Sequence, residues 1–412
     1  MKKIVASIGM AAVGASALQT VSAQEPLGGG SDKPWSVSAT LRGFYDDNVL
    51  TAADNEHESF GIEARPSVRL VLPMDQTTLS LGYVYSMKWY ADEPEVFDDI
   101  AQTHLFDLGL SHAFSERYRI SVSDSFAIGQ EADLFRTGSG FGGFQTVEGD
   151  NIRNFADVLF EADLTPVYGI TLGYNNALFD YEAQENSLVL DRVEHYVTFE
   201  NRLLLRPVTT GIVGYQFGMI DYTEDEAFAG GGLPEHRNNR SHYIYLGADH
   251  RFTPELSGSV RGGARINDYY NDPDDSDAEV SPYGKVTLSY SYAPQSQVML
   301  RVSYDRTATD VIGTGTDLVT DAQSVAFYVG LDHRLAARLF WHLGGQYQNS
   351  EFQNGDLDGG KDNFYSIDTS LRYEINRFLS THVGYSFDKL DSDVDGREFD
   401  RNRVYLGVTA TY

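Results

Sequence analysis

The sequence predicts an all-β protein, a single transmembrane antiparallel up-and-down β-barrel of about 18 strands with short periplasmic turns and long acidic extracellular loops. Three observations carry this. Eight tight turns, centred on Pro73, Ser115, Pro166, Pro207, Pro254, Pro294, Ala336 and Asn376, recur at intervals of roughly 40 to 50 residues, each flanked by strand-like runs. Nine longer connections rich in Gly, Asp and Asn alternate with them along the chain. The runs themselves alternate apolar and polar residues with period two, which helices do not produce.

The elements follow in chain order. Lys2 and Lys3 precede an apolar stretch from Ile4 to Leu18, and Val21, Ser22 and Ala23 supply the small residues that signal peptidase needs. Residues 1–23 therefore read as a cleaved signal peptide, and residues 24–34, QEPLGGGSDKP, as a periplasmic N-terminal lead-in. The barrel takes residues 35–412. Two runs per repeat plus the first and last place strands near 35–46, 57–72, 76–90, 101–114, 117–128, 151–164, 167–180, 190–205, 208–222, 240–252, 255–269, 279–292, 296–307, 322–334, 337–350, 362–374, 377–389 and 399–412. An even count puts both termini on the periplasmic side.

Composition sets limits. The chain has no Cys, which excludes a disulfide framework and a lipid-anchored mature terminus. A net charge of −29 offers no basic surface to nucleic acid. After the leader no run approaches the ~18 apolar residues of a spanning helix. A mean hydropathy of −0.33 would suit a soluble protein, but alternation hides the apolar half of a barrel strand from such an average.

In the last run, Val404, Leu406, Val408, Ala410 and Tyr412 share one face, while Arg403, Tyr405, Gly407, Thr409 and Thr411 share the other. The same phase sets Ile62, Ala64, Pro66, Val68, Leu70 and Leu72 against Glu63, Arg65, Ser67 and Arg69. It recurs in Val298, Leu300, Val302 and Tyr304 against Arg301, Ser303 and Asp305, and in Leu256, Val260, Ala264 and Ile266 against Arg261 and Arg265. Aromatic girdles at the membrane edges would draw on Tyr83, Tyr85, Trp89, Tyr174, Tyr215, Phe217, Trp341, Tyr385 and Tyr412. Asp124, Asn176 and Asn201 fall on the lipid phase, so their strands are expected to bulge, slip or lie near a rim. A propeller or solenoid is the competing fold, but a propeller blade needs four short strands where this unit holds two long ones.

The alternating final strand ending in Tyr412 is similar to the C-terminal sorting signal of outer-membrane barrels. With the turn and loop pattern it makes the chain resemble the outer-membrane β-barrel porins of Gram-negative-type bacteria and, more loosely, the β-barrel porin families encoded among surface-polysaccharide genes. The resemblance covers nearly all of the mature chain and rests on pattern and ends, not on a diagnostic motif. It implies outer-membrane lipids and lipopolysaccharide as surroundings, insertion by the barrel-assembly machinery, and passive transport. The expected function is diffusion of small polar or charged solutes; the alternative is an outlet for a surface polysaccharide. Tyr196, Tyr243, Tyr245, Tyr328 and Tyr405 fall on the inward phase that a sugar track would use. Homo-oligomerisation is left open, because a lipid-facing surface and a subunit interface read alike.

A barrel of about 18 strands is wide enough for an aqueous channel. Its inward phase carries Arg42, Arg65, Arg69, Lys88, Arg261, Arg265, Arg301, Arg334 and Arg372, faced by Glu161, Glu200, Asp332 and Asp368 among others. Opposed acids and bases make a transverse field that sorts solutes by charge and dipole, while paired and hydrated wall residues are the plainer reading. The third and longest loop, 129–150, mixes glycines with Asp133, Phe135, Arg136, Phe141 and Phe144, and corresponds to the loop that sets the constriction of general porins. It either folds into the lumen or stays outside. Asp391, Asp393, Asp395 and Gly396 match half of a calcium loop, but Asn402 stands where a bidentate Glu belongs, so no metal is expected. Nor is a cofactor or enzymatic activity: the ten His are scattered without a nucleophile elbow or zinc spacing.

Overall fold

A computed structural model of the chain describes residues 33–92, 100–130, 133–135, 145–147, 149–228, 230–273, 278–313 and 318–412. The expected signal peptide and most of the lead-in lie outside the described residues. The chain opens with β1 (Trp35–Asp46), β2 (Ser59–Pro73), β3 (Thr77–Tyr90), β4 (Ala101–Ala113) and β5 (Tyr118–Gly129). Two three-residue strands, β6 (Asp133–Phe135) and β7 (Gln145–Val147), pair with each other inside the third loop. Next come β8 (Asn151–Asp163), β9 (Tyr168–Tyr181), a short helix α1 (Gln184–Leu190), β10 (Arg192–Arg206) and β11 (Thr209–Tyr222). After a 3-10 turn at Pro234–Arg237, the chain continues through β12 (Asn239–Arg251), β13 (Leu256–Asp268), β14 (Glu279–Ala293) and β15 (Ser296–Thr307). It ends with β16 (Asp321–Ala336), β17 (Leu339–Gln353), β18 (Lys361–Asn376), β19 (Leu379–Ser392) and β20 (Phe399–Thr411).

Every strand outside the small β6/β7 ribbon pairs antiparallel with its neighbour in sequence, and β1 pairs with β20 from Ser38↔Thr411 to Asp46↔Arg403, so the 18-stranded sheet closes. Closure leaves no sheet edge unpaired, which a strand needs in lipid. The start of β1 and the end of β20 meet at the short-turn end, where the Tyr412 and Trp35 rings lie 6.0 Å apart and Lys33 sits 3.8 Å over the Tyr412 ring. All eight expected turns connect strands there. Register slips by one residue next to four of them, at Leu204/Arg206, Tyr290/Ala293, Arg334/Ala336 and Glu374/Asn376, which turns the chain tightly.

The outer face is apolar and exposed, as at Leu41, Ile62, Leu246, Val280, Leu300 and Leu406. What is buried lies on the inner phase and towards the long-loop end. Small clusters form under the loops: Phe155, Ala177, Phe179, Tyr181 and Leu190 in one, and Val311, Val319, Ala322 and Phe352 in another.

Of the bulge, slip or rim position expected for the strands of Asp124, Asn176 and Asn201, the bulge and slip are corrected, while Asn176, opposite His195, lies towards the long-loop rim. Pairing from β4 through β5, β8, β9 and β10 runs without a break, so Asp124 and Asn176 do sit on the outer face. They are satisfied by neighbours instead: Asn154 donates to Asp124 Oδ2 at 3.0 Å, Asn176 donates to the Glu194 carbonyl at 3.0 Å, and Tyr168 donates to Asn201 at 2.8 Å. Hydrogen bonding lowers the cost of a polar group on that face enough to keep the register.

Candidate functional site

Side chains that meet across strands that are not neighbours identify the concave face, because only there does curvature bring them together. Arg261 of β13 donates to Glu200 of β10 at 3.0 Å and to Asp249 at 2.8 Å. Tyr245 of β12 donates to the same Glu200 at 3.1 Å. Arg202 of β10 reaches Glu161 of β8 at 2.7 Å. Arg265 of β13 bonds the Arg306 carbonyl on β15 and lies 3.6 Å from Asp305. Alternation from these anchors puts all thirteen wall residues expected from the sequence on this inner face.

Their settings differ. Glu63 is buried and gathers Arg42, Arg65 at 3.4 Å and Ser86 at 2.6 Å, with Lys88 paired opposite it on β3. Arg301 lies opposite Tyr328. Asp332 and Asp368 flank His342 at 2.8 and 3.2 Å. Arg372 holds Glu374 at 3.0 Å, and Arg334 donates to the Ala337 carbonyl at the short-turn rim. Arg69 is exposed. Of the inner tyrosines, Tyr243 and Tyr245 are buried against Tyr283 with Tyr196 beside them, a packed cluster rather than a free row. Tyr245 lies against Gly214 so closely that a Cβ there would sit 2.2 Å from its ring, and Tyr405 lies on Gly384 in the same way. Glycines thus let these rings lie flat on the wall. Tyr196 is tied to Glu194 and Tyr243 to Asp305.

The long-loop end holds what the sequence reading missed. The β11–β12 and β19–β20 hairpins are separated on the wall by the six strands β13 to β18, about 30 Å of arc. Yet each reaches the β15–β16 loop, the first at Thr309 and the second at the adjacent Asp310. Arg237, fully buried, donates to the Thr309 carbonyl and, at 3.0 Å, to the Val189 carbonyl of α1, with its guanidinium 4.3 Å over Tyr222. Arg397 grips Asp310 through both terminal nitrogens at 3.0 and 2.6 Å and Asp362 through Nε at 2.9 Å. Arg237 also joins the Val189 carbonyl, before β10, to the Thr309 carbonyl, after β15, six strands on, and loops span that distance by leaning inward, so the 308–313 and 318–320 segments form part of a roof over the lumen. Apolar side chains seal it: Leu318 packs at Gly232, and Leu357 and Val394 cover the Val311–Val319–Phe352 cluster.

Burial opposes the charge of Arg237 and lowers its pKa from the ordinary value. Burial opposes that of Arg397 too, but the Asp310 and Asp362 carboxylates outweigh it and raise the pKa. Beside α1, burial pushes the Asp191 carboxyl up to about 7, although the Tyr181 N–H donates to it at 2.7 Å. The signal in the sequence was an isolated Arg in each acidic loop, Arg237 after Glu224, Asp225, Glu226 and Glu235, and Arg397 among Asp393, Asp395 and Glu398, with stray apolar residues nearby. Of the expected constriction loop, Asp133 and Phe135 belong to the backbone of β6, and Arg136, Phe141 and Phe144 lie outside the described residues. The half calcium loop closes on protein: Asp391 pairs with Lys389 at 3.0 Å, and Asp393 accepts the Lys361 N–H at 3.0 Å.

A closed 18-stranded barrel with an apolar outer face and a charged inner one is a porin-like β-barrel. Residues 322–412, which run from the start of β16 through β20, match the family described as "Putative beta-barrel porin 2". No curated protein matches the chain. Similar solved structures include the outer membrane protein OpdK from Pseudomonas aeruginosa, with 11% identity over 92% of this chain and 99% of that one and a TM-score of 0.45. A BenF-like porin from Pseudomonas fluorescens Pf-5 is similar at 10% identity, with the same coverages and TM-score. OccAB4 from Acinetobacter baumannii is similar at 11% identity, again with 92% and 99% coverage and a TM-score of 0.45.

Proposed function

We propose that this chain is an outer-membrane channel for the passive diffusion of small polar or charged solutes. The observation that carries the reading is the inner face of a closed barrel, where acids and bases stand opposed along the whole height while the outer face is exposed and apolar. In this reading Arg42, Arg65, Arg69, Lys88, Arg261, Arg265, Arg301, Arg334, Arg372, Glu161, Glu200, Asp332 and Asp368 line the lumen, and their mixed charge makes the field a solute crosses. The roof built on Arg237 and Arg397 narrows the extracellular mouth, and solutes leave through the more hydrated periplasmic half. Lipid and lipopolysaccharide surround the outer face, and the barrel-assembly machinery inserts it after the leader is removed. The inner tyrosines, hydrogen-bonded at Tyr196, Tyr243 and Tyr245 and flat on the wall at Tyr245 and Tyr405, give polysaccharide export no support.

The test is ion conductance of the refolded mature chain in a planar bilayer under a salt gradient. The reading expects stable open steps and a reversal potential that shifts when Arg261 or Glu200 is neutralised. A folded barrel that stays silent even after residues 309–319 are shortened would overturn it.

A further inference from the structure

Near the long-loop edge of the outer face, tyrosine hydroxyls on strands rising from the turns bond a polar side chain on the next strand. Tyr85 pairs with Gln102 at 2.8 Å, Tyr304 with Gln323 at 2.6 Å, Tyr347 with Asn363 at 3.0 Å and Tyr385 with Asn402 at 2.7 Å. At three more places the partner is a histidine, bonded through Nδ1: Tyr83 to His104 at 2.9 Å, Tyr174 to His195 at 2.9 Å and Tyr215 to His242 at 2.8 Å. Asn176 also approaches His195 Nδ1, at 3.2 Å. Tyr83 and Tyr174 stack on their histidines with ring planes 22° and 20° apart. The rings are therefore fixed.

Their height is fixed as well. Ten residues below each histidine on the same strand line stands an exposed apolar residue at the turn end: Phe114 at 57%, Leu205 at 59% and Phe252 at 57% exposure. At about 3.4 Å per residue and a tilt near 40°, ten residues rise about 26 Å, the height of the apolar band of an outer-membrane barrel. Exposed Phe106, Val197, Ile244 and Leu246 fill the interval. Above His242 the exposed Arg240 stands two residues on, stacked 4.2 Å from Tyr270. The three histidines thus sit where apolar band gives way to polar edge. The tyrosine–polar pairs recur from β3 to β20, around most of the ring, so this level meets a continuous surrounding medium and not one subunit interface.

A hydroxyl either donates to or accepts from Nδ1, so each pair persists whether the imidazole is neutral or charged. With Nδ1 engaged, Nε2 has no hydrogen-bond partner among the described residues. We infer that His104, His195 and His242 are binding sites for the headgroup phosphates of outer-leaflet lipids, each donating Nε2–H to a phosphate oxygen. This rests on the membrane-spanning reading and goes beyond channel function.

The test is phosphorus-to-nitrogen dephasing in solid-state NMR, on the full mature barrel carrying nitrogen-15 histidine in phosphatidylethanolamine and phosphatidylglycerol vesicles. Folding and insertion are checked separately by heat-modifiable gel mobility and protease protection. The Nε2 signals that vanish in the His104→Gln, His195→Gln and His242→Gln triple variant, where glutamine keeps the tyrosine bond as Gln102 does, should lose intensity to phosphorus in the unaltered barrel. The inward His342 and His382 should show no such loss. An inserted barrel without dephasing overturns the inference while leaving the channel reading intact. Equal dephasing in phosphate-free glycolipid vesicles with added inorganic phosphate overturns it too, as do contacts from these imidazoles to a second, differently labelled copy.

Discussion

The two halves of the barrel interior carry the same chemistry in opposite surroundings. Near the short turns, Arg202 and Glu161 keep 18% and 23% of their side chains exposed, and Asp332 keeps 52%. Near the long loops, Arg401 pairs with Asp46 at 5% and 4%, Arg306 with Asp321 at 5% and 3%, and Arg192 with Glu194 at 1% and 3%. Strand sequence does not separate the halves, since both alternate charged with apolar residues. The loops do, because those that fold inward exclude water from the residues beneath them. A desolvated pair loses far more than a hydrated one when a partner is removed.

Replacing Arg397 with Ala should have the largest effect, because it leaves Asp310 and Asp362 under the roof without their cation. Such a loss costs about 3–5 kcal/mol, enough to release the β15–β16 loop, and single-channel conductance should rise several-fold. Unchanged conductance would mean that the roof does not narrow the mouth.

Arg265→Ala in the upper half and Arg202→Ala in the lower half compare the halves directly. Denaturant unfolding in detergent should show a loss of a few kcal/mol for the first, about 3 by the usual cost of a broken buried pair, and about 1 or less for the second. Equal losses would break the comparison.

On the outer face, Asp124→Leu should stabilise the barrel by about 1–2 kcal/mol, since a carboxylate on a lipid-facing strand is costly even with Asn154 beside it. The same unfolding measurement checks it, and a destabilised variant would point to a protein contact at that face.

The smallest effect is expected at Asp191. Its folded pKa of about 7 lies above the ordinary carboxylate value, so its contribution to local stability is complete below about pH 4 and is lost as pH rises through about 7. Amide exchange in α1, corrected for intrinsic rates, should therefore be faster at pH 8 than at pH 5. Asp191→Asn should abolish the difference.

Much of the wall is legible in the sequence. The reading of 35–46 coincides with β1 and that of 296–307 with β15, and the phase of Val404 to Tyr412 places each residue on the face it occupies. Period-two alternation between two unlike media leaves one register that satisfies both faces. Around Asp124 the same rule was right where it looked wrong, because the hydrogen bond from Asn154 comes from a strand 30 residues away. The strand ends near turns were less legible, since register slips such as Arg334/Ala336 add a residue that no periodicity announces.

The sequence by itself determined the number of strands, their order and the side each residue faces. Those properties are local, repeating every two residues and punctuated by turns. Tertiary structure alone decided that Arg237 and Arg397, 160 residues apart, close on the neighbouring Thr309 and Asp310. An irregular loop carries no period, and whether its lone arginine meets water or a carboxylate depends on where distant loops fold. The barrel wall brings those loops together, and the exclusion of water beneath them turns ordinary charged residues into fixed ones.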